Sequence, residues 1–140
     1  MHSYGGKVGT PAVQGLSKAA RTSNGLPGGI VHLVFLTAAI TPEGLSADEF
    51  GSIGLPPIRE TAEGATELID PTKYFYHDLP TDQQKYWASK LRPFKGSRID
   101  KGGYAGYLHV PSTYLVCEND RVVQVELQRK IIKAAVQAGA

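Results

Sequence analysis

The run Ile30-Val31-His32-Leu33-Val34-Phe35-Leu36-Thr37 constrains this chain more than any other segment. β-Branched and aromatic side chains occupy both alternating sets of positions, so an extended chain here has no polar side to offer water. A strand of this kind predicts cover on both faces, the condition of a parallel sheet layered with helices. A second buried strand is predicted at Val110-Pro111-Ser112-Thr113-Tyr114-Leu115-Val116-Cys117, which runs into Glu118-Asn119-Asp120.

Helical spacing flanks both strands. Val8, Ala12, Gly15/Leu16 and Ala19/Ala20 predict a helix over residues 5–20. Pro11 is its awkward member, because an interior proline removes a backbone bond at a cost of about 3 kcal/mol, so the helix starts late or bends there. Thr22-Ser23-Asn24-Gly25-Leu26-Pro27-Gly28-Gly29 is a breaker. Residues 41–57, rich in Pro, Gly and Ser, read as a loop leaving the sheet, and residues 61–68 as a short helix. Tyr74, Phe75, Tyr76 and His77 then crowd together ahead of a helix over 81–91. Thr81 is expected as its N-cap, Gln84 as the capping-box partner, and Trp87 and Leu91 as inward-facing. Residues 96–106 are glycine-rich and loop-like. The last helix, residues 125–138, carries Leu127, Ile131, Ala134/Ala135 and Ala138 as its apolar stripe. No internal repeat is present. Helix, strand, long insertion, strand, helix predicts an α/β fold, part of a doubly wound one.

Bulk properties remove several function classes. A chain of 140 residues is one domain at most, and 41% hydrophobic with 20% charged residues is ordinary for a globular protein. A net charge of +2, with basic residues scattered among acids, gives no reason to expect nucleic acid, and Lys90 to Lys101 reads as a solvated loop. The single cysteine, Cys117, forms no internal disulfide, fits a reducing compartment and reads as a strand residue. No signal peptide is visible, and the apolar run over 30–40 is too short to span a bilayer, so no membrane role and a cytoplasmic location are expected.

Chemistry concentrates at Met1-His2-Ser3-Tyr4-Gly5-Gly6. A serine followed by small residues at the mouth of a helix reads as the second half of a G-x-S-x-G elbow, with Met1 where the first glycine would stand. In such a turn the serine backbone is strained and its hydroxyl exposed, and Gly5 is expected to let helix and strand approach. Neither H-E-x-x-H nor paired cysteines occur, so no metal or other cofactor is expected. Gly5-Gly6-Lys7 lacks the remaining P-loop residues.

With the segment Tyr74-Phe75-Tyr76-His77-Asp78-Leu79-Pro80, Tyr86-Trp87-Ala88 and Leu91-Arg92-Pro93, and with Pro111 to Asp120 and Val125-Glu126-Leu127-Gln128, the elbow resembles the α/β-hydrolase superfamily. The branch it resembles holds plant methyl-ester esterases and hydroxynitrile lyases. The resemblance runs over essentially the whole chain and implies a partial α/β-hydrolase fold, truncated at both ends. Its parts would be an elbow, helix and strand over 1–40, a cap-like insertion over 48–107, and an acid-bearing strand and helix over 108–140. It implies Ser3 as nucleophile, the Tyr4 backbone N–H as an oxyanion donor and Asp120 as the acid. Tyr74, Tyr76 and Trp87 would be apolar substrate-binding walls. Gln124 stands where relatives usually place a proline.

The resemblance also implies a base histidine after Asp120, and none occurs between Arg121 and Ala140. His2 is expected to point into the fold, His32 to be a core histidine, His77 to belong to the cap, and His109 to precede its strand at the inactive end. The expected activity is hydrolysis of a small ester, lactone or amide, impaired by the absent base. The alternative is an inactive truncated fragment or a pseudoenzyme with a binding role. An exposed sheet edge at residues 30–37 would favour self-association.

Overall fold

A computed structural model describes residues 1–40, 56–94 and 103–140. At its centre, strand β1 (Leu33–Leu36) pairs in parallel with β4 (Ser112–Leu115), Leu33 opposite Ser112 and Leu36 opposite Leu115. The first residues lie along the other side of β1. His2 bridges Leu36 in parallel, Leu36 N–H donates to the Met1 carbonyl at 2.8 Å, and Ser3 N–H donates to the Leu36 carbonyl at 3.4 Å. Three parallel segments therefore end on one edge, which gathers Ser3, Thr37 and the turn carrying Asp120.

The helix expected over 5–20 is broken into α1 (Gly5–Gly9), a tight turn at Pro11–Val13 and α2 (Lys18–Ser23). Pro11 opens the tight turn, where its missing N–H costs nothing. α2 begins afresh from Ser17, whose hydroxyl accepts from Ala20 N–H at 3.2 Å. Close passage of α1 beside the strand depends on Gly6 and not Gly5. A methyl group at Gly6 would sit 2.5 Å from the Ala39 carbonyl oxygen, whereas one at Gly5 would meet nothing within 4 Å.

The short helix expected over 61–68 is instead a hairpin, β2 (Ile58–Glu60) against antiparallel β3 (Thr66–Leu68). Gly64 adopts φ +71°, and Thr61 N–H donates to the Ala65 carbonyl at 2.7 Å. This turn chemistry outweighs weak helical spacing. Thr66 also exchanges both backbone bonds with Phe94, at 2.8 and 2.7 Å, which closes the hairpin onto the chain after the next helices.

Those helices are α3 (Pro71–Tyr74), capped by the Asp70 carboxylate on Lys73 N–H at 3.1 Å, and α4 (Thr81–Lys90). Pro80 is the cap residue of α4 and Thr81 lies inside its first turn. Gln84 turns outward from the expected capping box and donates to the Leu79 carbonyl at 2.8 Å. Trp87 is 46% exposed, edge-on to Tyr86 with ring centres 5.1 Å apart, and only Leu91 of the expected inward pair is half-buried.

α5 (Val125–Gln137) seats Leu127 and Ile131 in the core as its spacing requires. The core also takes Val13, Leu33, Phe35, Tyr107, Val110 and Val123. Cover of β1 on both faces is not observed: Leu33 and Phe35 are buried, while Val34 and Leu36 are exposed among the described residues. β4 is likewise exposed at Ser112, Thr113 and Leu115. Tyr107, Val123 and α5 pack on the Phe35 side, so the alternation of the pleat leaves the other set of side chains outside. No helix among the described residues is long and apolar enough to cross a membrane.

Candidate active site

Ser3 stands between the end of the first parallel segment and α1, and its backbone adopts φ +49°. A non-glycine residue in this left-handed region costs about 1–2 kcal/mol, so surrounding bonds must hold it. They do: the Ser3 carbonyl accepts from Gly6 N–H at 3.1 Å and from Ala39 N–H at 3.0 Å. The turn is thereby tied both to its own helix and to the chain leaving β1. Tyr4 is the N-cap residue of α1, and its N–H donates to no backbone acceptor among the described residues.

Thr37, at the end of β1, is a second non-glycine residue forced to positive φ, at +38°. Its hydroxyl donates to Asp120 Oδ2. Asp120 Oδ1 accepts from Val122 N–H at 2.7 Å and from Val123 N–H at 2.9 Å. All three bonds use the carboxylate as acceptor, and they fix both of its oxygens at the sheet edge.

Gln128 braces this arrangement from below. Its side chain, fully buried on α5, accepts from Cys117 N–H at 2.9 Å and donates to the carbonyls of Cys117 at 2.9 Å and Val123 at 2.6 Å. One amide thus clamps both ends of the turn that carries Asp120. The sequence signal for this bracing role is a glutamine on the apolar stripe of a helix, one residue after Leu127. The same clamp gives half-buried Cys117 a backbone role.

Tyr114 packs against Phe35 with ring centres 6.3 Å apart and donates its hydroxyl to the Ala38 carbonyl at 2.9 Å. Burial, and then the negative charge of Asp120, push the phenol up to about 12, so it remains a neutral donor.

Ser3, Thr37 and Asp120 line one cavity of about 210 Å³ together with His2, Tyr74 and His77. A more open cleft, lined also by Cys117, Glu118 and Asn119, adjoins it and shares His77, Asp78, Asp120 and Arg121. Of the expected substrate walls the structure brings Tyr74 to the cavity, while Tyr76 and Trp87 lie outside its lining. The four histidines separate. His2 and His77 border the cavity, although His2 is exposed and not aimed into the fold. His32 is exposed rather than buried and meets the Thr113 hydroxyl at 2.8 Å. His109 stacks on Tyr104, ring centres 4.8 Å apart. Among the described residues, no group of His, Cys, Asp and Glu is placed to hold a metal ion.

Comparison with known proteins bears on the family. A family model described as the alpha/beta hydrolase family matches residues 1–139. The chain is 32% identical over 142 residues to a protein of Phoma sp. (strain ATCC 20986 / MF5453) called "Probable hydrolase R7". That match covers 98% of this chain and 54% of the relative, so the chain spans about half the length of the curated relative it matches. No solved structure matches. With a strained serine turn and a carboxylate-bearing turn at the ends of parallel strands, the chain belongs to the α/β-hydrolase family.

Proposed function

We propose that this chain carries the nucleophile and the acid of a serine hydrolase acting on a small carboxylic ester, lactone or amide. The reading rests on the meeting of Ser3, held at φ +49°, with Asp120 in one cavity. Ser3 Oγ is the attacking atom, and Tyr4 N–H, at the start of α1, is a donor for the oxyanion that forms. Asp120 is the fixed charge that orients the catalytic imidazole. The inserted segment supplies Tyr74 as an apolar wall of the cavity. A cavity of about 210 Å³ is smaller than a typical drug-sized pocket of about 300–1,000 Å³, which favours a short acyl group. The adjoining cleft leaves room for the departing alcohol.

A fluorophosphonate probe with peptide mapping, run beside turnover of an activated aryl ester, tests this. Labelling at Ser3, with both signals lost in S3A, is the expected result. A folded, monodisperse sample that neither labels nor turns over would instead support the binding-only reading.

A further inference from the structure

We infer that Thr37 is the positioning residue of the Ser3–Asp120 pair: it tips out of β1 beside the serine turn and presents its hydroxyl to Asp120 Oδ2. That role rests on the serine-hydrolase reading above and adds the part that aligns its two groups.

A threonine at φ +38° is an outlier, because a branched Cβ crowds the backbone in the left-handed region. Such a conformation persists only where its surroundings hold it, and here the holding bonds lead to the site. Thr37 N–H donates to the Leu115 carbonyl at 3.2 Å, which anchors the residue to the end of β4. Its neighbours grip the serine turn. The Leu36 carbonyl accepts from Ser3 N–H at 3.4 Å, and Ala39 N–H donates to the Ser3 carbonyl at 3.0 Å. His2 pairs with Leu36, so in an unbroken parallel ladder the donor to the Ser3 carbonyl would be Ala38 N–H. The left-handed residue shifts that bond by one position. One extra residue therefore enters the strand end at Thr37, a device that re-aims a side chain.

The re-aimed side chain meets the acid. Thr37 is 7% exposed, so water competes little for its hydroxyl, which donates to Asp120 Oδ2. Asp120 Oδ1 accepts from Val122 N–H at 2.7 Å and Val123 N–H at 2.9 Å. Each carboxylate oxygen has about two acceptor positions. Among the described residues Oδ1 is thus filled, and Oδ2 keeps one position open. That position is available to an imidazole N–H, and Thr37 fixes where Oδ2 stands when the bond forms. Ser3, Thr37 and Asp120 line the same cavity. Thr37 itself takes no proton; it acts through Asp120.

The test compares T37V, T37G and T37S with S3A and D120A in fluorophosphonate labelling and aryl-ester turnover, with circular dichroism of each. T37V keeps the branched shape and loses the hydroxyl. It should lose about 10- to 100-fold in kcat and labelling rate, the range for a hydrogen bond to a charged group, with KM within about twofold. Should valine not fold at a left-handed position, T37G gives the same reading, since glycine takes positive φ without strain. T37S, which returns a hydroxyl, should recover most of the loss. Placed on D120A, T37V should slow labelling by less than about threefold, because the group through which Thr37 acts is gone. A merely structural threonine would cost the same factor in both backgrounds. That result, a loss under about threefold in T37V alone, or a T37S as slow as T37V overturns the role of Thr37 and leaves the Ser3 reading standing. Activity retained in S3A, or a folded parent that never labels at Ser3, overturns the serine-hydrolase reading and the role of Thr37 with it.

Discussion

Two regions of this molecule are built to different standards. The sheet edge that carries Ser3, Thr37 and Asp120 is braced from several elements, and the buried core lies directly beneath it. The segment over 56–94 contributes Ala65 alone to the buried residues and exposes almost every side chain of α4 among those described. Groups that must hold strained or exact geometry sit on the first region. The proposed substrate walls sit on the second, where few apolar contacts resist movement. Ser3 and Asp120, the proposed nucleophile and acid, belong to the first region, whereas Tyr74, Tyr76 and Trp87 belong to the second.

The sharpest way to break this contrast is at Asp120. D120N keeps the size of the side chain but removes the charge that orients an imidazole, and turnover of the aryl ester should fall by about 10⁴-fold. A loss under tenfold would show that the braced turn serves the fold and not the reaction. Next comes Q128L, which unpairs Cys117 N–H and the carbonyls of Cys117 and Val123 in the interior. Chemical denaturation should show a loss of about 2–4 kcal/mol, and activity should fall with it because the Asp120 turn is no longer clamped.

G6A drives a methyl group to 2.5 Å from the backbone oxygen of Ala39. Stability should drop by about 1–3 kcal/mol, and labelling at Ser3 should slow as α1 is pushed away. G5A should be better tolerated in space, so the pair isolates the close approach. Y114F addresses pH. A phenol whose folded value is raised to about 12 contributes stability that is fully present below its unfolded value near 10. That contribution is lost as pH climbs from 10 toward 12, because the unfolded chain releases the proton first. Thermal melts of the parent should therefore fall over this window, and Y114F should flatten that part of the curve. The smallest effect belongs to W87A, expected within about 0.5 kcal/mol in stability. A large rise in KM there would place Trp87 against substrate and narrow the difference between the two regions.

Much of the fold was legible because its signals are local. The run from Ile30 to Thr37 and the stripe Leu127, Ile131 needed only the period of a strand and of a helix. Pro11 announced the break that the structure contains. The hairpin at Ile58–Glu60 and Thr66–Leu68 was not legible, since its stability comes from Gly64 at positive φ and from pairing with Phe94 far along the chain. Gly5 and Gly6 could not be told apart from sequence, because only the position of Ala39 decides which one lies against backbone. The proposed site was legible in its two ends, Ser3 through the elbow motif and Asp120 through the family resemblance. Its bracing by Thr37 and Gln128 was not, because those contacts join residues 83 and 11 positions apart to the same turn.

What the sequence determined by itself was therefore the kind of architecture, while the elbow motif suggested Ser3 and the resemblance suggested Asp120 as the proposed reacting groups. Periodicity and turn composition act over a few residues and are written directly in the order of side chains. Only tertiary structure decided that β1 keeps one face open among the described residues, that Gln128 holds the acid turn, and that His77 shares both cavities with Asp120. Burial and cavity membership depend on which distant segments pack together, and no local pattern encodes that.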